Sequence, residues 1–166
     1  MTGTSFQPRM TPRLIIRAIT PADGPAIHTY MSDPDVTHWL PEGLLSRAEA
    51  QAFAEENTGE SSEALALIDR ASEEFIGHMV FHPWAGTHTY EIGWVIAQPF
   101  QQRGYATEAA RSLLAYAFET LKCHRVIATC QPENIPSWKL MEALGMRREG
   151  LYLQCIDKGP DGWWDE

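Results

Sequence analysis

The tightest constraint on this chain is a strand that must turn directly into a helix. Tyr90 to Ala97 is an apolar, strand-like run, and about Ala106 to Leu121 is an alanine-rich helical segment. Between them lie only Gln98, Pro99, Phe100, Gln101, Gln102, Arg103, Gly104 and Tyr105. A helix that starts this way presents its first backbone N–H groups without internal partners. Together with the positive end of the helix dipole, those groups suit an anion such as a pyrophosphate. Gly104 allows close backbone approach, Ala106 adds little bulk and Arg103 supplies positive charge. The helix repeats Ala106, Ala109, Ala110, Leu113, Leu114, Ala117, Phe118 and Leu121 on one face, which predicts packing against a sheet.

Two familiar phosphate loops do not fit. A P-loop requires Lys-Ser/Thr after its last glycine, and no lysine follows Gly104. The dinucleotide-binding turn uses three glycines, and this turn has one.

A second strand-to-helix unit follows. Val126 to Cys130 reads as a strand, and Asn134, Ile135, Pro136 and Ser137 then open a short helix that ends at Gly145. Asn134 suits an N-cap, Pro136 a first turn and Gly145 a left-handed residue after the helix. Upstream, Arg13 to Ile19 reads as a strand, and Thr20-Pro21-Ala22-Asp23 as a helix start running to about Met31. Ser46-Arg47-Ala48-Glu49 is a capping box for a helix to about Asn57. Ala64 to Asp69 and Phe75 to His82 read as strands, as do 125–130 and 146–157. The resulting order β-α-α-β-β-β-α-β-α-β predicts an α/β domain with a mixed sheet and helices on both faces. Residues 1–11 lack periodicity and are expected to be a loose arm, with 12–166 forming a single domain.

Composition sets the bounds. With 166 residues, 44% of them hydrophobic, the chain can bury one core. A formal charge of −9 disfavours nucleic acid and anionic membrane as partners. No run approaches the ~18 apolar residues of a membrane span. Cys123, Cys130 and Cys155 lack disulfide or zinc spacing, so a reduced, cytoplasmic setting is expected. His78 and His82 would stand ~13 Å apart along a strand, so no metal is expected.

Gln101, Gly104 and Ala106 match the pattern Gln/Arg-x-x-Gly-x-Gly/Ala. With the Asn134-x-x-Ser137 unit, Leu144-Gly145-Met146 and Glu149-Gly150 after it, the chain resembles the GNAT superfamily of N-acetyltransferases. The C-terminal stretch from Gly150 to Asp165, with Trp163 and Trp164, resembles the branch that acetylates ribosomal-protein N-termini (the Rim type). The resemblance covers roughly residues 12 to 165. It implies the GNAT fold: a mostly antiparallel sheet splayed between its fourth and fifth strands. It also implies acetyl transfer from acetyl-CoA to a primary amine, on a protein N-terminus or a small molecule, by direct attack in a ternary complex.

By the same resemblance, backbone at Val95 and Ile96 pairs with the pantetheine arm and polarises the acetyl carbonyl. Gln101, Gln102, Arg103, Gly104, Tyr105, Ala106 and Thr107 surround the pyrophosphate. Asn134 hydrogen-bonds the pantetheine region and Ser137 stands near the sulfur as acid or orienting donor; helix capping is the alternative for both, and for Ser137 an equal one. The general base is Glu91, which alternates with Gly93 and Val95 on its strand, or Asp157. Trp39, in a Pro/Gly-containing loop, and Glu91 are candidates for the acceptor side. Relatives usually continue past Trp-Asp with a final strand, so that strand is expected to be missing or truncated here. Trp163 and Trp164 then form either an exposed interface patch or a cover for the domain's own core. A monomer or homodimer is expected. The rival functions are a noncatalytic acyl-CoA sensor and a protein-interaction module.

Overall fold

The computed structural model describes residues 6–59 and 62–166. Six strands form one sheet: β1 (Arg9–Met10), β2 (Leu14–Ala18), β3 (Ala64–Asp69), β4 (Phe75–Pro83), β5 (Thr89–Ile96) and β6 (Arg125–Ile127), neighbours in that order. Pairing is antiparallel from β1 through β5, and β6 joins β5 in parallel. The helices are α1 (Gly24–Met31), α2 (Pro34–Thr37), α3 (Arg47–Glu56), α4 (Tyr105–Ala115) and α5 (Ile135–Ala143). A separate ribbon pairs β7 (Ile156–Asp157) with β8 (Trp163–Trp164).

Strand alternation divides the core into two layers. On β3, Leu65 and Leu67 face α4 with Leu14, Ile16, Met79 and Ile92, whereas Ala64 and Ala66 face α1 and α3. Large sheet residues meet Ala109 and Ala110 of α4 and Ala117 of the turn that continues it, all fully buried, so the helix seats close to the sheet. On the other side, Ile27 and Tyr30 of α1 pack with Ala50 and Ala54 of α3. Helices therefore cover both faces.

The capping box of α3 forms as its residues imply: Ser46 Oγ accepts from Glu49 N, and the Glu49 carboxylate accepts from Ser46 N at 2.7 Å. Asp23 opens the α1 region, where its carboxylate accepts from the two terminal guanidinium nitrogens of Arg17, each at 2.7 Å.

Several elements depart from the sequence expectations. Of the arm expected over residues 1–11, residues 1–5 lie outside the described residues. Arg9 and Met10 pair with Ile16 and Ile15, and Phe6 packs edge-on against Tyr116. The long helix does not stay α-helical to Leu121. Tyr116–Thr120 widens into a π turn closed by Leu121 N to Tyr116 O at 3.0 Å. Phe118, within this turn, is 45% exposed and borders a groove together with Leu114, Trp138 and Met141. The expected strand 125–130 ends at Ile127, because its partner diverges there. The expected strand 146–157 is reduced to Ile156–Asp157, and the segment before it is irregular. Trp164 folds back onto Trp39 and His38, while Trp163 is 58% exposed.

The most consequential irregularity is a bulge in β4. Leu67 pairs with Gly77 but Ile68 pairs with Phe75, leaving Ile76 as the extra residue. Strict alternation would put Ile76 on the same face as His78. The bulge places Ile76 instead with Met79 and Phe81 in the α4 core, and His78 on the α1/α3 side. Gly77 makes this possible with φ +150°, and a Cβ there would overlap the Val95 carbonyl oxygen and lie 3.0 Å from Ile96 Cα. Gly77→Ala is expected to lower unfolding free energy by about 3 kcal/mol, read as a reduced urea midpoint at unchanged slope. A midpoint equal to the parent's would show that the bulge does not depend on glycine.

Candidate active site

β5 and β6 stay together for three pairs, Thr89–Arg125, Tyr90–Val126 and Glu91–Ile127, and then part. Beyond Glu91 the two lips, Gly93 to Val95 and Thr129 to Gln131, border a cleft of about 560 Å³. Its other walls come from α3 and from the loop carrying Trp39, Leu40 and Pro41. Glu91, Trp39, Asn134 and Ser137 all line it.

The ladder bonds fix which amides of β5 face the opening. Trp84 N donates to Thr89 O at one end and Ala97 N donates to Ile76 O at the other, both at 2.9 Å. Odd-numbered residues of β5 therefore point their N–H groups at β4, and even-numbered ones point toward the parted edge. Of the two expected backbone donors, Ile96 faces the opening, whereas the Val95 amide belongs to the β4 ladder. The Val95 side chain still lines the cleft.

Glu91 is half-buried, and its carboxyl is raised above the ordinary glutamate range. Burial is the largest cause, and the Glu166 and Glu63 carboxylates push in the same direction. His82, with Nε2 3.6 Å from Glu91 Oε2, and the Thr129 hydroxyl pull it partly back. Thr129 and Glu166 were absent from the sequence expectations. Glu166 reaches the lip because its backbone pairs both ways with Tyr152, at 2.7 and 2.9 Å.

Ser137 and Asn134 do not act as side-chain caps. The N-terminus of α5 has no side-chain cap bond; the Asn134 carbonyl accepts from Ser137 N at 3.1 Å. The Ser137 hydroxyl instead lies against the Cys130 thiol, whose pKa burial raises and this hydrogen bond lowers in part. Asp157 is not brought to the cleft. It is exposed on β7, and its carboxylate accepts from Gly159 N at 2.8 Å.

The turn after β5 lies outside this cleft. Gly104 adopts φ +80°, with Gln102 also left-handed at +58°. Among the described residues, no protein acceptor takes the N–H of any residue from Gln102 to Thr107. The first bond of α4 is Glu108 N to Gly104 O, at 3.0 Å. These amides are therefore open to an anion. Side chains hold the turn in place: Gln101 Nε2 donates to Ile96 O at 2.9 Å, and Arg13 donates to the Arg103 carbonyl at 2.8 Å. The Tyr105 hydroxyl donates to Asp69 at 2.7 Å, which holds that carboxyl at about 2. The Tyr105 side chain is thus anchored to the sheet, and only its amide faces the open end. Arg103 lies over the Phe100 ring at 5.7 Å.

Residues 13–147 match the model of the acetyltransferase (GNAT) domain family. The chain belongs to the GNAT acetyltransferase family. It is similar to the uncharacterized N-acetyltransferase YnaD of Bacillus subtilis, with 47% identity covering 94% of this chain and 91% of that one. An acetyltransferase of the GNAT family from Bacillus anthracis superposes with a TM-score of 0.90 at 43% identity, covering 96% and 94% of the two chains. At 26% identity, over 93% of this acetyltransferase and 84% of its relative, the [ribosomal protein uS5]-alanine N-acetyltransferase of Escherichia coli also matches. A spermidine N-acetyltransferase from Vibrio cholerae, in complex with CoA and spermine, shares the fold at 22% identity and a TM-score of 0.79, covering 93% and 92%. The parted strands, β5 and β6, are the fourth and fifth of the sequence expectation, since β1 adds one strand before them. Among the described residues of the acetyltransferase, no group of three His, Cys, Asp or Glu side chains could hold a metal ion. No helix among them is long and apolar enough to cross a membrane.

Nuclear magnetic resonance titration of side-chain carboxyls should place Glu91 above the ordinary glutamate range, and Glu166→Gln should move it down. No movement in that variant would remove Glu166 from the field around Glu91.

Proposed function

We propose that this acetyltransferase moves an acetyl group from acetyl-CoA to a primary amine by direct attack in a ternary complex. One observation carries the reading: the open amides of 102–107 and the parted edge of β5 stand in series, ending beside a half-buried carboxyl. The pyrophosphate of acetyl-CoA meets the amides from Gln102 to Thr107, and Arg103 adds charge. The pantetheine runs along β5, where the amides of even-numbered residues offer partners.

An amine of pKa near ~10 arrives protonated at neutral pH. Glu91, directly or through water, takes that proton, and a raised pKa suits a base working near neutrality. The free amine attacks the thioester carbonyl, forming a C–N bond and a tetrahedral oxyanion, which the Ile96 N–H stabilises. The C–S bond then breaks as the attacking nitrogen gives up its second proton, which the Ser137 hydroxyl relays to the departing thiolate, leaving the neutral amide, the free thiol and protonated Glu91. Asp157, exposed and away from the cleft, has no part in this scheme. Among the described residues, five glutamates (Glu42, Glu49, Glu56, Glu91, Glu166) and no lysine or arginine line the cleft, which favours a cationic acceptor and disfavours a carboxylate-bearing one. The acceptor amine, whether on a peptide or a small molecule, enters beside Trp39. We place the reaction in the cytoplasm, in line with three free cysteines.

Two variants test the scheme in separate steps. Gly104→Val should weaken coenzyme A binding at least about tenfold by calorimetry, because a β-branched residue resists φ near +80°. A Cβ there would meet only the end of the Arg13 side chain at 3.4 Å, so the backbone rather than crowding is the cause. Glu91→Gln should leave coenzyme A binding intact and lower kcat by about 100-fold. In the parent, rate should fall as pH drops through the raised Glu91 pKa, and that acid limb should vanish in the variant. An unchanged acid limb would exclude Glu91 as the base.

A further inference from the structure

On the cleft side of the sheet, the bulge at Ile76 turns His78 toward Tyr30. Tyr30 Oη and His78 Nδ1 are 2.6 Å apart, and both residues are 3% exposed. The pair is held by rings on two sides: Phe75 lies against Tyr30 and Phe53 against His78. Burial keeps the phenol protonated and the imidazole neutral, the latter with a pKa of about 4.

The tautomer follows from hydrogen-bond bookkeeping. Among the described residues the Tyr30 hydroxyl has one partner, His78 Nδ1. If Nδ1 carried the proton, the hydroxyl hydrogen would be buried without an acceptor, a penalty of roughly 1–3 kcal/mol. The hydroxyl therefore donates to Nδ1, and the imidazole proton sits on Nε2. No described residue accepts from Nε2, yet no buried side-chain nitrogen or oxygen in the described structure lacks a partner. Nε2 is therefore reachable from outside the core, and the space beside it is the cleft that His78 lines.

The position of this N–H is specific. His78 pairs with Val95 and His82 pairs with Glu91, so His78, Val80, Val95, Gly93 and Glu91 share one face. Gly93, opposite Val80, has no side chain, so of that cross-strand pair only Val80 stands between His78 and Glu91. The two registers lie about 13 Å apart along the strands, a span that the two side chains shorten from either end.

We propose that His78 is a specificity-determining residue whose Nε2–H, oriented by Tyr30, hydrogen-bonds an uncharged oxygen of the acceptor a few bonds from its reacting nitrogen. This rests on reading the cleft as the acceptor site. The glutamate lining opposes a carboxylate at that point, so the oxygen belongs to an amide carbonyl or a hydroxyl. An oxygen-free alkylamine would leave the donor unpartnered, and a buried donor is strongly selective against ligands that cannot use it.

Three amines of one shape test this: phenylalaninamide, phenylalaninol and phenethylamine, each assayed with acetyl-CoA. At least one of the two oxygen-bearing amines should exceed phenethylamine in kcat/KM by about tenfold or more, mainly through KM. Which of them does so separates carbonyl from hydroxyl. His78→Phe should bring that ratio to within about twofold, and His78→Gln, which keeps an N–H donor, should restore part of it. The 15N spectrum of His78 should show the proton on Nε2, and Tyr30→Phe should lessen that preference. Equal rates for all three amines, a ratio that survives His78→Phe, or a proton on Nδ1 would overturn the proposal. If none of the three is acetylated, acetyl transfer to such amines fails instead, and the nitrogen spectrum decides the His78 assignment independently.

Discussion

The parting of β5 and β6 after the Glu91–Ile127 pair is the constraint on which the rest depends. A sheet that continued to zip would pair the edge-facing backbone groups of Trp94 and Ile96 with those of Thr129 to Gln131. Because the strands diverge, one row of backbone groups on β5 is left facing a cleft, and the residues beyond Ile127 form a second lip. The divergence also sets the electrostatics. Glu91 stands at the fork, half-buried, with Thr129 from the opposite lip on its carboxyl and Glu166 close enough to raise its pKa.

Packing on the two faces keeps the fork in place. The α4 face combines large sheet residues with alanines on the helix, so α4 seats close and its N-terminus emerges just past the end of β5. Three independent ties hold that turn: Gln101 to the Ile96 carbonyl, Tyr105 to Asp69, and Arg13 to both Glu108 and the Arg103 carbonyl. A turn whose own amides are unpartnered needs such external fastening, because nothing within it fixes its shape.

Much of the site was legible in the residues. Gly104 before an amphipathic alanine-rich helix pointed to a helix start with unpartnered amides, since local chain chemistry determines where a helix starts and which amides it leaves over. Period-two alternation placed Glu91, Gly93 and Val95 on one face of their strand, and the structure has them there. Ser46 and Glu49 specified their own capping box. What escaped were features set by neighbours distant in sequence. Asp157 was a candidate base by resemblance, near the end of an expected strand 146–157 that the structure reduces to Ile156–Asp157. The phase of the β4–β5 ladder, which separates the Ile96 amide from the Val95 amide, depends on Trp84 and Ala97 bonds that no local pattern reveals. Phe118 fitted a 3.6-residue repeat, yet it stays 45% exposed, because it borders an open groove rather than the sheet.

From its sequence alone, this protein was bound to make an open helix N-terminus at Gly104, an alternating strand carrying Glu91, and helices with one apolar side. Those features follow from short-range sterics, hydrogen-bonding capacity and hydrophobic period. Tertiary structure alone decided that β5 and β6 part where they do, that Ile76 bulges and turns His78 to Tyr30, and that Glu166 returns to the lip of the cleft. Each of these requires long-range pairing to settle which backbone groups and charges meet, and no local preference carries that information.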